Sequence, residues 1–355
     1  MKPIKSTGYS ILFNEAAYDS LNQYLSRDEV STIFLLVDEN THKFCYPEFF
    51  KKISSDKLIS VIEIKAGEAY KNIQTCVDVW KKLTELGADR KSILLNLGGG
   101  VITDLGGFVA STFKRGIQFI NIPTTLLSMV DASVGSKTGV DLDNLKNLIG
   151  LFSEPQMVVI DPNFLGTLSE RETRSGVAEI IKYGLTFDIK LFDEVKKDKW
   201  LENKDLNHLI FQSIYIKNEF VLKDIHEKHL RKVLNFGHTV GHAVESYFLE
   251  HQNLKTLAHG EAIAIGMVIE AYISHKQHNF PLEELTSLKT YIHKTFGKTP
   301  IKPEHFNSIL TLMKHDKKNK NGVIHYILLK NIEDFIIDGT APTELVIEGL
   351  NYYNS

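Results

Sequence analysis

Apolar and polar positions follow two different rhythms along this chain, and the change falls near residue 168. Before it, short apolar runs stand between longer stretches with helical spacing. Thr32–Val37, Val61–Ile64, Ser92–Leu97 and Gln118–Ile122 are compact apolar runs, rich in branched side chains, of the kind that form strands covered on both faces. Between the second and third, Asn72–Leu86 repeats its apolar residues at helical intervals and stops at Gly87. Thr103–Ala110 reads as the helix after the third run, and Pro123 closes the fourth. Strands alternating with helices predict an open parallel sheet of the Rossmann-like α/β class, with ligands at the carboxyl ends of its strands.

Beyond residue 168 the strand rhythm nearly vanishes. Glu170–Gly184, Asp205–Lys223, Lys232–Leu249, His259–Lys276 and Leu282–Phe296 carry helical patterns, and Ile324–Leu329 alone reads as a strand. The pattern predicts an α/β nucleotide-binding domain over residues 1–168 and an all-α domain over residues 169–355, a division that 355 residues accommodate. There is no internal repeat. The polar basic stretch Lys314–Lys320 fits a solvated turn and a phosphate-contacting loop equally well.

Composition narrows the function classes. A formal net charge of −3 gives no reason to expect nucleic acid or an anionic membrane as partner. Cys45 and Cys76 are the only cysteines and form no CxxC pair, which argues against a disulfide framework and a thiolate zinc site. MKPIKSTGYS lacks an apolar leader core, and no run reaches membrane-spanning length, so a soluble cytoplasmic protein is expected.

Candidate chemistry gathers at a few places. Asn235-Phe-Gly-His238-Thr-Val-Gly-His242 puts two imidazoles at i and i+4, with an amide one turn earlier; in a helix the three share a face. A further imidazole stands at Ala-His259-Gly-Glu, and a carboxylate at Gly-Val-Ala-Glu179-Ile-Ile-Lys182. Two histidines and a glutamate form a common donor set for a catalytic divalent metal with an open position. From spacing alone His238 and His242 also fit a joint metal pair, although the glutamate of H-E-x-x-H is missing, and ordinary core histidines remain an alternative. Glu179 and Lys182, at i and i+3, fit a partly buried ion pair. Gly98-Gly99-Gly100-Val101-Ile-Thr-Asp104 follows a strand and opens a helix, which suits a pyrophosphate cradle and also a plain tight turn, since the spacing is not G-x-G-x-x-G. Arg115, Lys137, Lys146 and Asn147 put cationic and amide donors into loop-like sequence, which suits a substrate carboxylate or phosphate, or a mere surface loop.

Taken together, GGGVITDLGGFVASTFKRG, IPTTLLSMVDASVGSKTGVD, LKNLIG, SGVAEIIKYG, LNFGHTVGHAVE, HGEAIAIGM and HDKK resemble, in order and over roughly residues 98–318, the 3-dehydroquinate synthase family of the sugar-phosphate cyclase superfamily. The resemblance implies a dehydroquinate synthase-like fold: an N-terminal NAD-binding α/β domain, a C-terminal helical metal-binding domain, and an active site in the cleft between them. It implies conversion of 3-deoxy-D-arabino-heptulosonate 7-phosphate to 3-dehydroquinate and phosphate, in the shikimate pathway of aromatic amino acid biosynthesis, by a phosphate-eliminating lyase. Glu179, His238 and His259 would then bind zinc or cobalt. NAD would meet Asp38, Glu68, Lys71, Gly99, Gly100, Val101, Asp104, Thr124, Thr125, Thr167 and Leu168. His242, Lys137, Lys182, Arg231 and Asn235 would serve the chemistry, His242 by moving protons near neutral pH. Arg115, Lys146, Asn147, Lys217, Asp131 and one of Lys317 and Lys318 would hold the sugar phosphate. A homodimer is likewise implied by the family. The chain departs from the family pattern at Thr103 and Ser136, where glycine is usual, at Ile225 within Asp224–Glu227, and at His229, again for glycine. Threonine at the first place also occurs in relatives that cyclise sedoheptulose 7-phosphate or glucose 6-phosphate, the alternative substrates. Arg231, Asn235, His242 and Asn147 match the dehydroquinate pattern.

Overall fold

The computed structural model describes residues 1–143, 145–198, 200, 206–251, 253–314 and 323–355. The chain divides into two compact units, Met1–Ser169 with Lys204–His226, and Glu170–Asn203 with Glu227–Ser355.

The first unit is built on a seven-stranded sheet of β1 (Ile4–Lys5), β2 (Ser10–Phe13), β3 (Ile33–Asp38), β4 (Ile59–Ile64), β5 (Ile93–Gly98), β6 (Gln118–Pro123) and β9 (Met157–Ile160), in the order β1-β2-β9-β6-β5-β3-β4. Every pairing is parallel except β1 with β2. β3 and β5 bury almost every side chain, as continuous apolar runs require. From β3 the chain moves outward to β4, then returns past β3 to β5, so the sheet reverses its direction of growth between β3 and β5. The carboxyl ends at that reversal, Asp38 and Gly98, mark where an open α/β sheet receives ligands. Helix α1 (Gly100–Thr112) starts directly beyond β5.

Two expectations change here. The glycine-rich stretch after Asp131 is a loop only as far as Ser136: β7 (Lys137–Leu142) and β8 (Leu145–Phe152) then form an antiparallel hairpin. Its strand rhythm is masked by glycines at Gly139 and Gly150, which face each other across the ladder. The helix Asn207–Lys223, expected with the C-terminal helices, belongs to the first unit. Asn218 Nδ2 donates to Lys5 O at 2.8 Å, and the Phe211 ring lies 5.5 Å from that of Phe13.

The second unit is mainly helical and also holds a hairpin of β10 (Tyr326–Asn331) and β11 (Asp334–Gly339). Its centre is formed by α2 (Glu170–Thr186), α3 (His238–Glu250) and α4 (His259–His278). α4 is buried nearly all round, from Gly260 to Ser274, so it reads as apolar rather than amphipathic. The helix expected over Lys232–Leu249 is broken: Leu230–Asn235 forms a tight 3₁₀ segment and α3 begins only at His238. Gly237 causes the break, with φ at +78°, and a side chain there would meet Met267 and Ile263. Gly241 lets α3 lie against Ala262 and Ile263 of α4. The glycine before each histidine is thus a packing requirement.

Candidate metal and nucleotide sites

Residues expected to meet a nucleotide lie beyond the sheet. Asp38 ends β3, and its side chain accepts from the backbone N–H groups of Asn40 (2.9 Å) and Thr41 (2.8 Å), capping the next helix. Gly99, Gly100 and Val101 form the start of α1, where no side chain caps the free N–H groups, as an anion site requires. Thr124 N donates to Gly98 O (3.0 Å), joining the ends of β5 and β6, and Thr125 Oγ1 accepts from Ser128 N (3.1 Å). Thr167 lies 3.6 Å from Cys45 Sγ, and Leu168 closes a turn onto Leu165. Burial pushes the Cys45 thiol up, against the opposing influence of the Thr167 and Thr124 hydroxyls. Both cysteines are free and buried.

A second group forms a half-buried polar cluster around the buried Lys71. Lys71 Nζ contacts Asp104 Oδ2 (2.6 Å) and Asn147 Oδ1 (2.7 Å), Lys146 Nζ reaches Glu68 (2.7 Å), and Asn147 N donates to Asp141 Oδ1 (2.7 Å). Burial works against the Lys71 charge, but Asp104, then Glu68 and Asp141, hold the ammonium above its ordinary value. Five expected residues therefore meet, and Asp141, overlooked in the sequence, completes them. Lys217 Nζ binds Asp131 through its backbone oxygen (2.5 Å) and Oδ1 (2.9 Å). Lys137 is exposed at the start of β7. Arg115 is exposed on a turn where it (φ +71°) and Lys114 (φ +51°) both adopt left-handed backbone, a conformation costing roughly 1–2 kcal/mol per residue.

The departures from the family pattern also find places. Thr103 is fully buried, its hydroxyl donating to Gly100 O (3.2 Å) and meeting Ser128 Oγ (3.4 Å), so it serves packing inside this unit. Ser136 sits at φ +61°, which explains why glycine is usual there. Ile225 lies in an exposed turn.

The metal candidates come together in the second unit. Glu179 on α2 is fully buried, and its Oε1 lies 3.4 Å from His238 Nε2 and 3.6 Å from His259 Nε2. That oxygen has no hydrogen-bond donor, while Lys182 pairs with Oε2. A buried carboxylate oxygen without a donor and facing two imidazole nitrogens costs free energy unless a cation completes it. The N, N, O donor set suits zinc or cobalt. His242, one turn along α3, is a third imidazole: ligand atoms of His238, His242 and His259 lie within 4.8 Å of one another. The rings of His238 and His242 are 5.2 Å apart. Asn235 does not share their helix face, because it precedes the Gly237 break.

Several groups hold these donors. Glu270, fully buried on α4, accepts from Gly237 N (2.8 Å) and Val240 N (3.2 Å), so it caps the helix that carries two histidines. Arg171 grips Glu261 through two nitrogens (2.8 and 2.6 Å), Glu261 accepts from Ala258 N (2.8 Å), and Gly260 N donates to Ser175 Oγ (2.9 Å). These contacts fix the start of α4, where His259 stands. His238 Nδ1 faces Phe236 O (3.0 Å), and His259 Nδ1 faces Glu245 Oε2 (3.1 Å). Burial, then the Lys182 charge, keeps His238 below its ordinary value despite Glu179. Burial would do the same to His259, but Glu245 and Glu179 outweigh it and push the imidazole up to about 10. Burial likewise opposes ionisation of Glu179, yet Lys182 and His238 hold it well below the usual carboxylate range.

Arg231 is buried with Nε 3.9 Å from Glu227 Oε2, and Asn235 Nδ2 donates to Glu227 Oε1 (2.6 Å). Glu227 thus ties together two expected residues without having been singled out. Lys317 and Lys318 lie outside the described residues. Glu245 had a legible signal, at i+3 from His242 and i+7 from His238. For Glu270 the signal was a lone acid in an apolar run, AIAIGMVIEAYI.

Residues 61–175 match the family model described as 3-dehydroquinate synthase N-terminal, and residues 176–319 the one described as 3-dehydroquinate synthase C-terminal. A 3-dehydroquinate synthase of Parabacteroides distasonis is 40% identical over 335 residues, 94% of each chain. One from Dictyoglomus thermophilum is 41% identical over 321 residues, 89% of this chain and 88% of its own. Among solved structures, 2-epi-5-epi-valiolone synthase of Streptomyces hygroscopicus with NAD⁺ and Zn²⁺ bound superposes with a TM-score of 0.87 at 25% identity, covering 99% of this chain and 98% of its own. A 2-deoxy-scyllo-inosose synthase complexed with carbaglucose-6-phosphate, NAD⁺ and Co²⁺ gives 0.83 at 24% identity, covering 99% of each. No helix among the described residues is long and apolar enough to cross a membrane.

Proposed function

The chain belongs to the 3-dehydroquinate synthase family, and from that premise we propose that it converts 3-deoxy-D-arabino-heptulosonate 7-phosphate to 3-dehydroquinate and phosphate. The observation that carries the reading is the donor-free Glu179 Oε1 facing His238 Nε2 and His259 Nε2, in a chain 40% identical to a 3-dehydroquinate synthase over 94% of its length. Zinc or cobalt held by these three residues would stabilise charge on substrate oxygens, while NAD would take up and return one hydride at C5. The transient C5 ketone makes the C6 proton acidic, so the C6–H and C7–O bonds can break and phosphate leave.

The residues divide this work by chemistry. Gly99, Gly100 and Val101 offer backbone N–H groups to the pyrophosphate, and Asp38, Glu68, Lys71, Asp104, Thr124, Thr125, Thr167 and Leu168 complete the dinucleotide site. Lys137, Lys182 and Arg231 supply positive charge where elimination and the later enolate develop negative charge. Arg115, Lys146, Asn147, Lys217 and Asp131, with Lys317 or Lys318, orient the sugar phosphate. Asn235 binds a substrate hydroxyl. His242 moves the ring-opening proton, before the enolate carbon closes on the C2 ketone. The same reading makes the enzyme a cytoplasmic protein and a homodimer, the latter tested by sedimentation.

The substrate assay is phosphate release from the heptulosonate phosphate, sedoheptulose 7-phosphate and glucose 6-phosphate, with NAD and zinc present. Release from the first alone, with 3-dehydroquinate formed and no net NADH, is expected. Release from either sugar phosphate but not from the heptulosonate would assign the chain to another cyclase. Net NADH from a simple polyol would instead indicate a dehydrogenase.

A further inference from the structure

We propose that Glu245 is a positioning residue: by accepting a hydrogen bond from His259 Nδ1–H it holds that imidazole in the tautomer whose Nε2 faces Glu179, and so sets the metal affinity of the site. The inference rests on the metal reading above and adds a residue to it. Glu245 is buried on α3, one turn after His242, and its Oε2 lies 3.1 Å from His259 Nδ1. The opposite nitrogen, Nε2, lies 3.6 Å from Glu179 Oε1.

A neutral imidazole carries one proton, on either ring nitrogen. An ionised carboxylate only accepts, so it selects Nδ1–H and leaves the Nε2 lone pair for a cation. His238 shows the same logic with a different acceptor, since its Nδ1 faces Phe236 O at 3.0 Å while Nε2 lies 3.4 Å from Glu179 Oε1. The two ligand histidines are therefore oriented unequally. One is held by a backbone carbonyl, which no substitution removes; the other depends on a single side chain. A carboxylate behind a ligand histidine also raises the basicity of its coordinating nitrogen, and loss of such a partner typically weakens metal binding about 10- to 100-fold.

The test compares zinc affinity, by chelator competition on the full chain, for the parent, Glu245→Gln and Glu245→Leu. Glutamine retains a neutral acceptor and leucine retains only bulk. The proposal expects leucine to weaken binding about 10- to 100-fold and glutamine to recover part of the loss. Equal affinities in all three would overturn it, as would equal losses in both variants, because a packing defect does not distinguish acceptor from hydrocarbon. A second measurement needs no variant: long-range proton–nitrogen correlation spectra of the zinc-loaded parent, with labelled histidine, should show His259 protonated at Nδ1 and coordinated through Nε2. Coordination through Nδ1 would refute the assignment even if a variant failed to fold. A parent chain that binds no zinc would instead overturn the metal reading itself, and the inference with it.

Discussion

The sharpest consequence of the second unit concerns Glu270, which is not among the residues expected to meet substrate or metal. Its two carboxylate oxygens accept the Gly237 and Val240 N–H groups at 2.8 and 3.2 Å, at the start of the helix that presents His238 and His242. Glu270→Gln keeps the shape but leaves one acceptor oxygen, and turns an amide NH₂ toward the other backbone N–H. Hydrogen bonds to charged groups contribute about 1.5–3 kcal/mol each, and a buried donor left unmatched costs about 1–3 kcal/mol. The expected loss is about 2–3 kcal/mol, which for a unit of this size lowers the melting temperature by roughly 5–10 °C. Because the left-handed turn at Gly237 aims His238, zinc affinity should fall as well. Thermal unfolding of the metal-free chain and chelator competition on the loaded chain measure the two effects separately. A variant that lost less than about 0.5 kcal/mol and bound zinc normally would show that packing of α3 on α4 alone, not the cap, fixes the histidines.

Other consequences follow from the same contacts. Lys71→Met should destabilise the first unit by about 2–3 kcal/mol in denaturant titration, because it leaves the half-buried Asp104 carboxylate without its ion-pair partner; an unchanged midpoint would mean Asp104 is neutral there. In the metal-free chain the His259 imidazole lies at about 10, above its ordinary 6.5. Its contribution to stability is therefore complete below about 6.5 and drains away as pH rises to about 10. The stability gap between the parent and His259→Gln should shrink over that range, and a gap that widened would contradict the ion pair with Glu245. Zinc binding at neutral pH should release close to one proton from His259, measured by calorimetry in buffers of different ionisation enthalpy; release of none would contradict the raised value.

Strands carrying continuous branched apolar runs, such as Ile33–Asp38 and Ile93–Gly98, were legible because such runs are too short for a buried helix and end at turn-forming residues. The helices bearing Glu179 and His259 were legible for a similar reason. The β7–β8 hairpin was not, since paired glycines at 139 and 150 erase the alternation that marks a strand. The break at Gly237 was hidden because helical spacing continues across it while the backbone does not. At the candidate sites, the expected ligands came from motif resemblance, whereas the carboxylates that hold these residues and their neighbours did not. Asp141, Glu227, Glu245 and Glu270 act through contacts with residues distant in sequence or on a neighbouring turn. A carboxylate's partner is set by packing, and one-dimensional patterns do not encode it. Thr103 shows the converse: a departure that drew attention in sequence proves to be a buried packing residue.

The central claim is that one metal, held by Glu179, His238 and His259, supports turnover of the heptulosonate phosphate. The most direct test measures zinc content and phosphate release on the same samples of parent and Glu179→Ala, with NAD present and the fold checked by circular dichroism. The account predicts near-stoichiometric zinc and equal yields of phosphate and 3-dehydroquinate in the parent, and loss of both zinc and activity in the variant. A folded Glu179→Ala chain that kept its zinc and its turnover would contradict it, and would leave the three imidazoles His238, His242 and His259 as the ligands instead.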